Sequence, residues 1–216
     1  MKFTGYITVR LNSTRVPEKS IKTINNSSLI NTAIKKLNNI NDIDNIILYC
    51  SNKKLNEYID NDLKYNFVSR SKEFDGDFIT FNNILDSIIN EIDTEYVVFL
   101  SATSPFIKEE TINDMIDKIK TDKYDSAFLA YEINNFCWYN NEPLNYDMSN
   151  VHRTQDLVPI VVENSGLYIF STKLYKKYKR RIGFNPYIKT VDVLESWDID
   201  TKEDLKIAQI LGEINK

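Results

Sequence analysis

Apolar runs alternate along this chain with apolar residues at helical spacing. "FTGYITV" (Phe3–Val9) reads as a strand, and Leu29, Ile30, Ala33, Ile34 and Leu37 then recur on one helix face. "NIILYC" (Asn45–Cys50) is a short buried-strand run. Behind it, "NKKLNEYIDND" predicts a polar helix with Leu55, Tyr58 and Ile59 inward. "YNFVSR" (Tyr65–Arg70) predicts another short strand, and Ile84, Leu85, Ile88, Ile89 and Ile92 predict one stripe on a helix. "EYVVFLSA" (Glu95–Ala102) is the clearest buried strand. Ile112, Met115, Ile116 and Ile119 mark the next helix, and "YDSAFLAY" (Tyr124–Tyr131) the next strand.

From Glu132 to Pro159 the rhythm breaks into a turn-rich, aromatic excursion. "SGLYIF" (Ser165–Phe170) resumes strand character, "TKLYKKYKRR" predicts a basic helix, and "RIGFNPYIK" returns extended. The last helix opens at Thr201 with Asp204 three residues on, a near capping box, and is expected to bury Leu205, Ala208 and Leu211. Strands alternating with helices imply an α/β fold, a doubly wound and mostly parallel sheet covered on both faces. Residues 1–216 read as one domain with 132–159 inserted in it. Ligands of such sheets bind beyond the carboxyl ends of the strands, here the loops after Val9, Cys50, Arg70, Leu100 and Phe170.

The composition is ordinary for a globular chain, at 42% hydrophobic and 27% charged residues over 216 positions. The formal net charge of −4 excludes a generally basic nucleic-acid footprint, so any anion site is local. Cys50 and Cys137 form no CxxC pair, and His152 is the only histidine, which excludes a His/Cys zinc site by count. No signal-like opening and no membrane-length apolar stretch are read, so a soluble cytoplasmic protein is expected.

Against that acidic background, "VRLNSTRVPEKSIK" (Val9–Lys22) gathers Arg10, Arg15, Lys19 and Lys22 behind the first strand. A solvated loop explains them, and so does a phosphate cradle. Neither GxxxxGK[ST] nor GxGxxG is present, which weakens kinase, GTPase and nicotinamide readings. Near the other end, Asp198 and Asp200 stand one residue apart, so an extended backbone points both carboxylates to one side. Such a pair suits Mg²⁺, and it also suits the acid bias of a helix start. Arg153 offers a planar fork for a carboxylate or phosphate.

The order of these motifs carries a resemblance. R-x-x-S-x-R-x-P-x-K, "SATSPF", "HRTQDL", "ENSGLYIF" and "DIDTKEDL" follow one another as in the cytidylyltransferases that activate acidic nine- and eight-carbon sugars. The chain resembles the acylneuraminate (CMP-sialic acid) synthetases and their CMP-Kdo relatives from about Lys2 to Leu211. Its R-x-x-S-T-R-x-P loop is similar to that of the spore-coat-polysaccharide branch. The resemblance implies a nucleotide-diphospho-sugar-transferase-like, Rossmann-like fold. It implies CTP contacts from Arg10, Ser13, Arg15, Lys19, Arg70 and Ser101, and Mg²⁺ on Asp198 and Asp200. It further implies an acidic acceptor on Arg153 and Gln155, and a homodimer formed through the 132–159 arm. Arg10, Lys19, Asp198 and Asp200 are the expected catalytic set. The implied reaction yields a CMP-sugar of the sialic acid-like class and pyrophosphate, for surface glycan synthesis.

Departures fall in the same places. Leu11 and Asn12 replace two family glycines, Thr14 replaces a lysine, Ser20 stands where asparagine is common, and Ser101-Ala102 replaces the family glutamine before the TSP turn. Two alternatives stay open: a different acceptor (Kdo-like, or a non-sugar acid or phosphonate), and a non-catalytic nucleotide-binding scaffold.

Overall fold

A computed structural model describes residues 1–11 and 13–214; Asn12, one of the departures above, lies outside the described residues. Seven strands form the main sheet: β1 Phe3–Thr8, β2 Ile43–Cys50, β3 Asn66–Ser69, β4 Tyr96–Leu100, β5 Ser126–Ile133, β6 Ile160–Ser171 and β7 Pro186–Val191. Five helices accompany them: α1 Leu29–Asn38, α2 Phe81–Asp86, α3 Glu109–Lys120, α4 Thr172–Tyr178 and α5 Lys202–Ile214. The spatial order is β7-β5-β6-β4-β1-β2-β3. All neighbouring pairs are parallel except those of β6, which runs against both β4 and β5.

The helical stripes find their places on two faces. Ile30, Ile34 and Leu37 of α1, with Ile112, Met115 and Ile119 of α3, cover one side of the sheet. Leu85 of α2 and Tyr175 of α4 cover the other, over Tyr6, Phe99 and Tyr168. Ser28 caps α1, Ser171 caps α4, and Thr80 with Asn83 forms a capping box on α2, each hydroxyl accepting an otherwise unpaired backbone N–H. Thr201 and Asp204 cap α5 reciprocally, as expected. That helix buries Ala208 and Gly212, while Leu205 and Leu211 are only half-buried.

Several elements differ from the expectation. The stripe Ile84–Ile92 is not one helix: α2 ends at Asp86 and a 3₁₀ turn follows over Ile89–Glu91. Ser87 Oγ donates to Ile84 O and meets Tyr49 OH, and the turn lets both Ile88 and Ile89 bury. The polar helix after Cys50 is a 3₁₀ segment, Lys53–Tyr58, which buries Leu55 and leaves Tyr58 exposed. β5 runs on through Ile133, so the irregular arm starts after it. The arm holds a small hairpin, Trp138–Tyr139 with Glu142–Pro143, turned by Asn140 and Asn141 at positive φ. Because β6 is antiparallel, the loop after Phe170 lies at the edge away from the ligand loops. It is the first half of β6, with Ser165, that reaches them.

No helix among the described residues is long and apolar enough to cross a membrane.

Candidate active site

The carboxyl end of β1 is fixed by a buried cation. Arg70, only 3% exposed, donates to Thr8 Oγ1 at 2.7 Å, to Val9 O at 3.0 Å and to Asp75 Oδ1 at 2.7 Å. Both terminal nitrogens of its guanidinium are thereby taken by the protein, while the buried Nε has no partner among the described residues. Arg70 does not line the pocket above it but sets where the basic loop begins. Asp75 also accepts from Ser51 Oγ at 2.6 Å, and its carbonyl accepts from Arg10 NH1 at 3.1 Å.

From Arg10 the loop crosses the mouth of a pocket of about 160 Å³, lined by Arg10, Ser13, Arg15, Lys19, Ser101 and Thr103 among others. Glu18 sits at positive φ and turns the chain into a short 3₁₀ segment, Lys19–Ile21. That turn aims Lys19 at the far end of the sequence: its Nζ donates to Ile199 O at 2.6 Å and to Asp200 Oδ1 at 3.3 Å. Arg15 NH2 donates to the same carboxylate oxygen at 3.0 Å.

The Asp-Ile-Asp segment lies against the turn after β4. Ile199 is fully buried, and its N–H donates to Thr103 O at 2.9 Å. The flanking aspartates remain half-exposed and contact Thr103, Arg15 and Lys19 of the pocket lining. Asp198 Oδ1 accepts from Thr103 Oγ1 at 2.5 Å and Ser104 Oγ at 3.2 Å, and Oδ2 from Ser165 Oγ at 3.3 Å. Thr103, Ser104 and Ser165 are site residues that sequence reasoning missed; "TSP" and "ENSG" were the available signal.

The β4 turn is held from beneath. Lys36 Nζ donates to Pro105 O at 2.5 Å and to Ile107 O, and burial pulls its pKa down to about 8. Gly166 makes the approach of β6 possible. A Cβ there would stand 2.5 Å from Ser104 Oγ and 2.7 Å from Asn164 Oδ1. Burial likewise raises the Tyr6 phenol far above its ordinary range.

The donor set suits a divalent cation only together with a ligand. Among the described residues no group of three or more His, Cys, Asp or Glu side chains could hold a metal ion. Mg²⁺, however, usually takes one or two carboxylates and completes its shell with water and phosphate. Asp198 has hydroxyl partners and no cation partner among the described residues, so its charge remains available. Asp200 presents Oδ2 free of the Arg15 and Lys19 contacts to Oδ1.

Arg153 and Gln155 are not brought to this pocket. Arg153 is exposed and forks onto Asp156, with Nε at 2.7 Å and NH2 at 3.1 Å. A larger concavity, about 840 Å³, opens at the opposite end of the sheet, where Asn38 and the Lys64 backbone satisfy each other.

The fold is shared with solved enzymes. CMP:2-keto-3-deoxy-manno-octonic acid synthetase in complex with CTP superposes with a TM-score of 0.76, 11% identity and full coverage of both chains. The bifunctional IspDF from Campylobacter jejuni gives 0.71 at 19% identity, covering 95% of this chain and 54% of that one. The 4-diphosphocytidyl-2C-methyl-D-erythritol synthase from Anaerococcus prevotii gives 0.70 at 13%, covering 98% and 96%. No curated protein matches the sequence significantly. A sequence model of cytidylyltransferases matches residues 5–215, nearly the whole chain. The chain therefore belongs to the cytidylyltransferase family, nucleotidyltransferases that act on CTP.

Proposed function

We propose that this protein condenses CTP with an acidic, sialic acid-like acceptor, releasing pyrophosphate and a CMP-acceptor conjugate. The observation that carries the reading is the pocket at the carboxyl ends of β1 and β4 lined by Arg10, Ser13, Arg15, Lys19 and Ser101, with Asp200 paired to its Arg15 and Lys19 and Asp198 tied to its Thr103. The acceptor hydroxyl attacks the α-phosphorus in line while pyrophosphate leaves, so the protein's work is positioning and charge neutralisation. Arg15 and Lys19 offset charge on the β- and γ-phosphates, and Arg10 holds the nucleotide from the facing rim. Ser13 and Ser101 supply hydroxyls to it. Asp198 and Asp200 would hold Mg²⁺, which when bound offsets phosphate charge and acidifies a coordinated hydroxyl. Thr103, Ser104 and Ser165 keep the Asp198 carboxylate oriented.

An acceptor of the Kdo type is the second reading, favoured by the end-to-end likeness to the CMP:2-keto-3-deoxy-manno-octonic acid synthetase. The arm bears exposed Trp138, Tyr139, Leu144 and Met148, a surface suited to a homodimer in which Arg153 and Gln155 approach the partner's acceptor.

Pyrophosphate release from CTP, Mg²⁺ and a panel of acidic sugars tests the reading. Activity is expected with at least one acid, abolished by EDTA. It should fall at least about tenfold in Asp198→Asn and in Asp200→Asn while both stay folded. A double variant with wild-type turnover would sink the metal assignment.

A further inference from the structure

A second cleft, of about 500 Å³, opens on the α2 and α4 side of the sheet, between Thr80, Phe81, Asn82, Glu163 and Arg181. Phe81 lines it, with the buried rings of Phe99 and Tyr168 behind. Phe81 meets Phe99 edge-on at 4.7 Å, and Phe99 lies 6.2 Å from Tyr168. The Arg181 guanidinium stands 4.0 Å above the Tyr168 ring and 5.2 Å from that of Phe81. One of its N–H groups donates to Glu163 Oε1 at 3.2 Å, the oxygen that also accepts the Tyr168 hydroxyl at 2.5 Å. Its other N–H groups have no hydrogen-bond partner among the described residues. Stacking and the single tether fix a planar cation whose remaining donors face the cleft.

The cleft lies beside the reacting groups. Tyr168 pairs with Phe99 across β6 and β4, and Ser101, two residues beyond Phe99, lines the phosphate pocket. On β6, Glu163 precedes by two residues Ser165, whose hydroxyl reaches Asp198. Each of these links is two residues long, at most about 7 Å of extended chain, and β6 shifts its pairing with β5 between Glu163 and Tyr168. Lys179, Arg180 and Arg181 add three successive cations to this wall, against Glu163 and the Asp86 paired with Lys179.

We propose that this cleft is the acceptor subsite, and that Arg181 holds the acceptor's oxyanion group, a carboxylate or a phosphonate. The inference rests on the cytidylyltransferase reading. The free oxygen of Glu163 beside Arg181 suits a hydroxyl next to that group. Arg153 is paired with Asp156 on the arm, whereas Arg181 lines the cleft with only one of its N–H groups bonded among the described residues.

Calorimetry on protein saturated with a non-hydrolysable CTP analogue and Mg²⁺ tests it, with Kdo, N-acetylneuraminic acid and 2-aminoethylphosphonate as probes. At least one acid should bind, and its identity separates carboxylate from phosphonate recognition. Arg181→Gln should weaken that acid at least about tenfold, Arg181→Lys less, with nucleotide affinity unchanged in both. Unaltered acid affinity in Arg181→Gln overturns the inference. So does wild-type protein that binds the analogue but no acid below about 10 mM. Wild-type protein that fails to bind the analogue overturns the cytidylyltransferase reading, and this inference with it.

Discussion

Arg15 and Asp200 are 185 residues apart in sequence, yet Arg15 NH2 lies 3.0 Å from Asp200 Oδ1, the oxygen Lys19 also reaches. An internal carboxylate thus occupies two cations assigned above to a triphosphate. If a triphosphate binds Arg15 and Lys19 as proposed, it competes with Asp200 for them and frees that carboxylate.

This competition gives a prediction of unusual sign. In EDTA, Asp200→Asn should bind CTP more tightly than wild type, by roughly two- to fivefold, because the exposed pair is partly screened by solvent. With Mg²⁺ the same variant should lose turnover. Titration calorimetry in the two buffers separates the effects. Weaker metal-free binding would refute the competition.

Gly166→Ala should destabilise the protein by about 1–3 kcal/mol through overpacking. The added carbon meets Ser104 Oγ, Asn164 Oδ1 and Ile107 Cδ1, all within 2.8 Å. Gly166 is not at positive φ, so the cost is steric. Urea unfolding would measure it. A neutral result would show that the β4 turn can retreat freely.

Lys36 links stability to pH. Its folded pKa of about 8 lies below the ordinary 10.5, so the unfolded chain binds more protons between those values. This group's contribution therefore rises from pH 8 towards 10.5, by at most roughly 3 kcal/mol, and is flat below pH 7. The melting temperature of wild type minus that of Lys36→Gln should grow over pH 8–10. A constant difference would show that the amine is not titrating there.

The arm predicts complementation. If Arg153 serves the partner's acceptor, mixed dimers of Arg153→Ala and Asp200→Asn carry one site with both groups intact and recover part of the activity. Confirmed heterodimers with no recovery, or a monomer by light scattering, would refute the exchange.

The sheet and its order of elements were legible because buried runs and helical stripes obey simple periods, as in Phe3–Val9 and Ile112–Ile119. The alternation of half-exposed Asp198 and Asp200 around a buried Ile199 was legible, because extended backbone sends successive side chains to opposite sides. Arg70 was not, since an arginine beyond a strand reads the same whether it faces a ligand or, as here, braces Val9 and Asp75. The direction of β6 was hidden too, because strand periodicity carries no sign. That reversal brought Ser165 to Asp198 and Glu163 to Arg181, pairs with no mark in the local sequence.

Lys19 finds its partner only at Asp200, and β1, in the middle of the sheet, finds β4 only at Tyr96. During synthesis the basic loop emerges early and stays without its counter-charge until all seven strands have been made. Contacts of such long range also slow folding. Completion of the site is thus a late event in the life of each chain, and a ribosome that stalls before Asp198 yields a product that carries the basic loop but neither carboxylate.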